Sequence, residues 1–545
     1  MVRKLLRNGT ALFVSRQQSI LGAAFILASM VALSRILGLV RTRLLAQYFP
    51  PSEIAVYFAA FRVPDFLYNV LVYGALSIAF VPIFSSVLAR KGKEEAFCFA
   101  NNLVQMAGLL YAVVALVILV FADWVCRLVA PGFSPAEMQE TVALTRVLIF
   151  SQLFFVLGAM FSSILQVHKQ FLVTAVSGVL YNLGIIVGIV LFAKMWGIWS
   201  AVIGVYFGAA LFCLAQLPAV FALKFRFMAC LSFRDKRVFE VIKLIGPRTF
   251  AIMADQLKMT ATISFASLIS SRSVTLFTIS HQLFLVPIGL FAASMAQAIL
   301  PVLSDEHAKD DLKAFTKTLT VSLQQMLFFI LPSAAILVVL KIPVVRLVFG
   351  ADQFDWAATV LTSLTVAWLS VGLAFEAAQL LFLRAFYALH DTVTPVKMML
   401  VALAVDLGLA WYFTQVLGLE VWSLGLAATI GSGVGIGLLF VALCRVLPGL
   451  LSWQFVMPIL KMSVCALAMA FALYIPVKAL DQVVIDTTRT VNLIILTGIA
   501  SGCGMIMYLF FTWALKVREA FMLVEYAKVF VEKGKNLASK TSSQQ

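Results

Sequence analysis

Apolar residues in this chain come in blocks of about twenty, separated by short stretches that are basic or of mixed charge. A helix needs roughly 20 predominantly apolar residues to cross a bilayer, and about fourteen such runs can be drawn. Their centres fall near Met30, Asn69, Ala115, Phe154, Ile186, Ala209, Met253, Pro287, Phe329, Trp368, Val405, Gly433, Leu467 and Ala500. Several exceed one bilayer thickness, so tilted or protruding helices are expected. The pattern predicts an all-α polytopic membrane protein with both termini on one side.

Basic residues set the orientation. They cluster before the first run (Arg3, Lys4, Arg7, Arg16), after the second (Arg90, Lys91, Lys93), after the sixth (Lys224, Arg226, Arg234, Lys236, Arg237) and after the last (Lys516, Arg518, Lys528, Lys533, Lys535). The positive-inside rule makes those loops, and both termini, cytoplasmic. The first run reaches from about Ser19 to Val40, too long for the apolar core of a signal peptide, and reads as an uncleaved span.

The two halves carry a faint repeat. Pro64 answers to Pro287, Pro82 to Pro301 and His168 to His390, each at an offset of about 220 residues, or six runs. Six spans preserve orientation, so the halves are expected to be parallel lobes. The expected organisation is an N-lobe at 1–230, a C-lobe at 231–450, two additional helices at 451–517 and a cytoplasmic tail at 518–545.

Composition narrows the class. Sixty-two per cent hydrophobic residues, 12% charged residues and a mean hydropathy of +1.02 exclude ordinary soluble and disordered chains. The +16 net charge lies mostly between apolar runs, so it argues for membrane orientation and against nucleic acid as a partner. The 7 cysteines are scattered and never spaced as CxxC, which reads as packing rather than a metal or disulfide framework. No P-loop, HExxH or Ser-His-Asp pattern in a soluble setting is present, so coupled ATP hydrolysis within the chain is not expected.

The informative residues are charges inside apolar runs, because each costs at least a few kcal/mol if it faces lipid. Ser34 and Arg41 are seven apart and share a helix face, with Arg35 about 100° around from Ser34 and roughly 9 Å along the axis from Arg41. In run 2, Arg62 precedes Pro64, whose ring frees the Ala60 carbonyl. A broken helix beside guanidinium groups suits a phosphate, although Arg62 can equally pair with Asp65. Asp255 in run 7 and Asp406 in run 11 point to a cation or proton site, with neutralisation of Asp255 by Lys258 as the competing reading. His281, Gln282, Glu376, Arg384 and Arg146 are further intramembrane polar positions. The series Gly431, Gly433, Gly435, Gly437 reads as close helix approach.

Ser34-Arg35-Ile36-Leu37-Gly38-Leu39-Val40-Arg41, Phe61-Arg62-Val63-Pro64-Asp65, Gly74-Ala75-Leu76-Ser77-Ile78-Ala79-Phe80-Val81-Pro82 and Ala130-Pro131-Gly132-Phe133 together resemble the MurJ (MviN) lipid II flippases. Phe386-Tyr387-Ala388-Leu389-His390-Asp391-Thr392-Val393-Thr394-Pro395 is similar to that family too. The resemblance implies a MOP-superfamily fold of two six-helix lobes in a V around a cationic cavity, with helices 13 and 14 forming a groove for an undecaprenyl tail. It implies lipid II, the undecaprenyl-pyrophosphate-linked disaccharide-pentapeptide, as the substrate in the bacterial inner membrane. Membrane lipids and cell-wall synthesis proteins are the other expected partners. No bound cofactor is expected; drive would come from membrane potential, sodium or protons, with Asp255 and Asp406 as the cation ligands. Arg35, Arg41 and Arg62 match family arginines, and Ser34, Asp65 and Gln282 complete the expected substrate set.

Some positions depart from the family pattern. Tyr68, Tyr73, Gln282, Leu285 and Ala55 stand where the resemblance leads one to expect an arginine, a glutamate, an arginine, an acidic residue and an aspartate. Cations and anions are missing together, as in co-adjusted pairs, and His281, Lys258 or Arg272 are candidates to compensate. The residues leave two alternatives open: another MOP-type transporter for a lipid-linked polysaccharide or small drugs, and a non-transporting scaffold of the same fold.

Overall fold

The computed structural model describes residues 20–73, 80–232, 236–447, 449–483 and 490–522. The N-terminal basic cluster, Gly74–Ala79 of the third motif, Arg234 and the tail from 523 lie outside them, as does the Tyr73 side chain.

The described residues form helices and no strands. The first half runs α1 (Ile20–Tyr48), α2 (Pro51–Tyr68), a π segment (Asn69–Tyr73), α3 (Val81–Lys91), α4 (Lys93–Val120), α5 (Ala122–Val129), α6 (Pro135–Val167), α7 (Phe171–Trp196), α8 (Trp199–Leu214) and α9 (Leu217–Ala222). It continues with α10 (Lys236–Ile269), α11 (Ser271–Pro287), a second π segment (Ile288–Ala292), α12 (Ala293–Ala308), α13 (Leu312–Val339), α14 (Lys341–Phe349), α15 (Trp356–Val371) and α16 (Leu373–Ala388). The last elements are α17 (Val393–Trp411), a π segment (Tyr412–Val416), α18 (Trp422–Val446), α19 (Trp453–Val483) and α20 (Thr490–Ala514).

By length and composition, 11 of the described helices can cross a membrane, or 12 when α15 and α16, bent by 44°, count as one span. That is fewer than the expected fourteen, although α1 and α10 place helix in the two remaining runs. The bend has a local cause. Gly372 sits at the junction, where a side chain would crowd Thr429, and the Thr429 hydroxyl donates to the Trp368 carbonyl at 2.6 Å.

The chain divides into two compact units, 1–279 with 348–358, and 280–347 with 359–545. The first unit therefore takes in α10 and most of α11, which the sequence boundary at 230/231 assigns to the C-lobe. Its core is aromatic: Phe80 stacks on Phe84 and Phe99 with centroids 5.0 and 5.9 Å apart, and Phe97 meets Phe225 at 5.2 Å. The strap after α9 has no helical partners for its backbone, and side-chain amides of α4 replace them. Asn101 donates to the Arg226 carbonyl (2.9 Å), Asn102 to that of Ser232 (3.1 Å) and Gln105 to that of Met228 (2.5 Å). Against α10, Gly132 brings its backbone so close to Ser267 that a Cβ would strike the Ser267 carbonyl.

In the second unit, α19 and α20 pack as a pair, and Tyr508 of α20 donates to the Phe328 carbonyl of α13 at 2.9 Å. Run 12 meets its glycine expectation in part: a Cβ at Gly431 would crowd Asp406, one at Gly435 would crowd Gln379 and Ala402, and Gly437 faces open space.

The repeat is visible in the backbone. Each half has a proline near a π segment, and each π segment keeps the same spacing to the following proline, Asn69 to Pro82 and Ile288 to Pro301. A proline removes a ladder donor, and π segments absorb such interruptions. The helix ends repeat as well. Gln170 N bonds Leu165 O at 2.9 Å with Lys169 at φ 61, and Asp391 N bonds Phe386 O at 3.0 Å with His390 at φ 59. His390 thus matches Lys169 in geometry, one residue out of step with the expected His168 pairing.

Candidate functional site

The apolar walls of α1 and α7 leave few polar groups, and those few find one another. Asn182 of α7 donates to the Ser34 hydroxyl (3.1 Å) and to the Ser34 carbonyl (3.2 Å) of α1. Its side-chain oxygen accepts from Arg41 Nη1 at 3.3 Å, and the Ser34 hydroxyl donates to the Gly178 carbonyl at 3.2 Å. Ser34 and Arg41 therefore do share a face, as their spacing predicts, and Asn182 is the residue both meet. Arg41 Nε is buried with no hydrogen-bond partner. A guanidinium with an unused donor inside a span is costly unless it has a task. Arg35, on another face of α1, is exposed and has no hydrogen-bond or ion-pair partner among the described residues.

Arg62 is held differently. It is buried, and its donors reach Thr260 Oγ1 (3.0 Å), the Gln256 carbonyl (2.6 Å) and Asp65 Oδ2 (3.3 Å). Thr260 also donates to the Gln256 carbonyl at 2.8 Å. Arg62 thus ties α2 to α10, and the Asp65 pairing anticipated from sequence is present, with Asp65 37% exposed. The Ala60 carbonyl that Pro64 leaves free lies 3.2 Å from the Thr145 hydroxyl of α6.

Asp255 of α10 lies within electrostatic reach of Arg62, and Arg41 within reach of Tyr57 and Tyr181. The first unit accordingly gathers Ser34, Arg41, Arg62, Asp65 and Asp255 of the expected residues. Gln282, half-buried on α11, and Asp406, buried on α17, belong to the second unit. Among the described residues no group of three or more His, Cys, Asp or Glu side chains is placed to hold a metal ion.

The departures have local explanations. Tyr68 packs its ring against Phe155 at 5.7 Å, and Phe155 meets Tyr181 edge-on at 4.9 Å, so an aromatic chain occupies the expected cation position. Ala55 is fully buried, a poor place for an unpaired carboxylate. Arg272 pairs with Asp355 at 2.9 Å and keeps a buried Nε without a hydrogen-bond partner, and Asp355 also accepts from Ala358 N at 2.7 Å. Glu376 accepts from Ser432 at 2.9 Å, and Arg384 lies 6.0 Å from the Tyr387 ring centre.

Sequence reasoning overlooked Asn182, Thr260 and Tyr181. Asn182 was the findable one, since an asparagine deep in an otherwise apolar 26-residue helix needs a partner just as a charge does.

Membrane-length helices carrying guanidinium groups within them define a multi-pass membrane protein with charges that need a function or a partner. The sequence model of the family described as lipid II flippase MurJ matches residues 45–491. The chain belongs to that family. It is 26% identical over 468 residues to the probable lipid II flippase MurJ of Buchnera aphidicola subsp. Baizongia pistaciae, covering 84% of this chain and 90% of that one. It is 26% identical over 414 residues to the lipid II flippase MurJ of Burkholderia cenocepacia, covering 74% and 79%. Among solved structures, lipid II flippase MurJ in an inward closed conformation superposes with a TM-score of 0.74 at 25% identity, over 90% of this chain and 99% of that one. An inward-facing MATE multidrug transporter of the MOP superfamily shares the fold at 14% identity, with a TM-score of 0.65 over 76% and 95%.

Proposed function

We propose that this protein moves lipid II from the inner to the outer leaflet of the bacterial cytoplasmic membrane by alternating access, with both termini in the cytoplasm. The observation that carries the reading is the Ser34–Asn182–Arg41 arrangement, which holds a half-buried guanidinium whose buried Nε has no hydrogen-bond partner. Guanidinium forks match phosphate oxygens in pairs, and the pyrophosphate of lipid II is such a partner. Arg41 and the unpaired Arg35 contact the pyrophosphate or sugar. Arg62, with Asp65, joins them when its ties to α10 loosen. The undecaprenyl tail lies on α19 and α20, where Phe471 (73% exposed), Ile475 (66%) and Ile506 (70%) present apolar surface. Cell-wall synthesis proteins that consume the exported precursor are its protein partners.

Membrane potential or a cation resets the carrier. Asp255 beside Arg62 and the buried Asp406 are the carboxylates available for that role. Transport unchanged in sodium-free medium would remove sodium from the cycle, while altered cation dependence of Asp406→Asn would support it.

The test of the main reading is complementation in a bacterium depleted of its own lipid II flippase. Wild type is expected to rescue growth and an equally expressed Arg35→Ala/Arg41→Ala variant to fail. Rescue by that variant would refute the arginine site.

A further inference from the structure

The second unit carries a basic cavity remote in sequence from Arg35, Arg41 and Arg62. It has a volume of about 670 Å³ and opens between the first turns of α13, the start of α19 and the turn that follows α20. Five cations line it: Lys313 and Lys317, one turn apart on α13, Lys461 on α19, and Lys516 and Arg518 beyond α20. Among the described residues none of the five forms an ion pair. Five uncompensated cations converging from three elements repel one another unless an anion joins them.

The walls are built rather than fortuitous. Lys461 Nζ donates to the Leu515 carbonyl at 3.0 Å, fixing α19 to the end of α20, and Gln324 Nε2 donates to the Gln454 carbonyl at 2.9 Å, fixing α13 to α19. The turn after α20 holds Lys516 in the left-handed region at φ 53, where a glycine or asparagine is the usual occupant. Glu519 is the one carboxyl in the lining. It is only 5% exposed, and its Oε2 has no hydrogen-bond partner. Its burial raises its pKa, with Arg518 nearby opposing the shift.

The rim identifies the source of that anion. Trp453, which lines the cavity, is 73% exposed; Leu451, next in sequence to the lining Ser452, is 66% exposed, and Trp513, three residues before the lining Lys516, is 60% exposed. Exposed tryptophans of this kind belong at the membrane interface, at the depth of lipid headgroups. Basic pockets between spanning helices take phosphate headgroups. A free phosphate would use the lysines and leave the apolar rim bare, whereas a phospholipid uses both.

We propose that this cavity holds the phosphate headgroup of an anionic glycerophospholipid, with its acyl chains against Trp453 and Leu451. The site is separate from the Arg41 site and does not depend on what that site transports.

The test is lipid retention by the purified full-length protein, read by native mass spectrometry in neutral detergent with added phosphatidylglycerol or phosphatidylcholine. Wild type is expected to prefer phosphatidylglycerol by about tenfold or more. Lys313→Gln/Lys317→Gln/Arg518→Gln, three exposed positions, is expected to retain both lipids equally while melting at the wild-type temperature. Glu519→Asp should leave the preference in place, whereas Glu519→Lys, adding a cation, should strengthen it, which guards against reading a folding defect as lost binding. An undiminished preference in the triple variant overturns the proposal. Displacement of phosphatidylglycerol by millimolar inorganic phosphate also overturns it, because the site would then belong to the free anion.

Discussion

The first and second units build the same proline and π-segment element and give it different chemistry. In the first, Arg62 stands two residues before Pro64 and is bound by Asp65, Thr260 and the Gln256 backbone. In the second, Leu285 occupies the place before Pro287, and the nearest polar pair, His281 and Gln282, lies one turn earlier, with His281 stacked on Phe284 at 5.8 Å. The backbone repeat survives because it rests on proline's missing donor and on small-residue packing. The charges diverge because nothing in the backbone geometry requires them. At this repeated element the guanidinium stands on one side of the repeat only.

That contrast can be broken most severely at Arg62. Arg62→Ala strips three hydrogen bonds and leaves Asp65 without its cation, at a cost of about 3 kcal/mol. Leu285→Ala, its counterpart by position, should cost less, and melting temperatures in detergent compare the two. Equal losses would mean that Arg62 is no more than packing.

Glycines sharpen the comparison next. Gly132→Ala drives a Cβ into the Ser267 carbonyl and should destabilise by about 2 kcal/mol. Gly437→Ala meets open space and should be neutral or slightly stabilising. The same thermal measurement distinguishes them.

The smallest effect is expected at the paired helix ends. Asp391 caps α17 by accepting from Val393 N and Thr394 N, both at 3.0 Å, whereas Gln170 gives α7 no side-chain cap. Asp391→Ala should cost about 1 kcal/mol and Gln170→Ala should not lose a cap. Burial alone would raise the Asp391 carboxyl, but hydrogen bonds from Thr394 and the Val393 and Thr394 amides, with Lys397 nearby, hold it below its ordinary 3.8. Its stabilising contribution is therefore complete above that ordinary value and disappears as pH falls through the depressed one. A wild-type minus Asp391→Asn difference in stability that did not shrink on acidification would contradict this.

The spans, the repeat and the membrane class were legible because they depend on composition and on prolines, which act locally. The Ser34 and Arg41 face was legible from helical spacing alone. What sequence could not supply were partners from distant helices. Thr260 for Arg62, Asn182 for Arg41 and Asp355 for Arg272 come from elements 83 to 198 residues away. Side-chain pairing at such range follows tertiary packing, which periodicity does not encode. The count of fourteen spans is not confirmed: among the described residues 11 helices, or 12 with α15 and α16 taken as one bent span, are long and apolar enough to cross a membrane.

The most direct test of the account is lipid II binding by the purified protein, measured for wild type, Arg41→Ala, Asn182→Ala and Gln282→Ala. Loss of a charge-assisted hydrogen bond predicts a fall of roughly tenfold to a hundredfold for Arg41→Ala, a smaller fall for Asn182→Ala, and the smallest for Gln282→Ala. Binding by Arg41→Ala equal to wild type, in a variant that melts at the wild-type temperature, would contradict the claim that the first unit's guanidinium holds the head group.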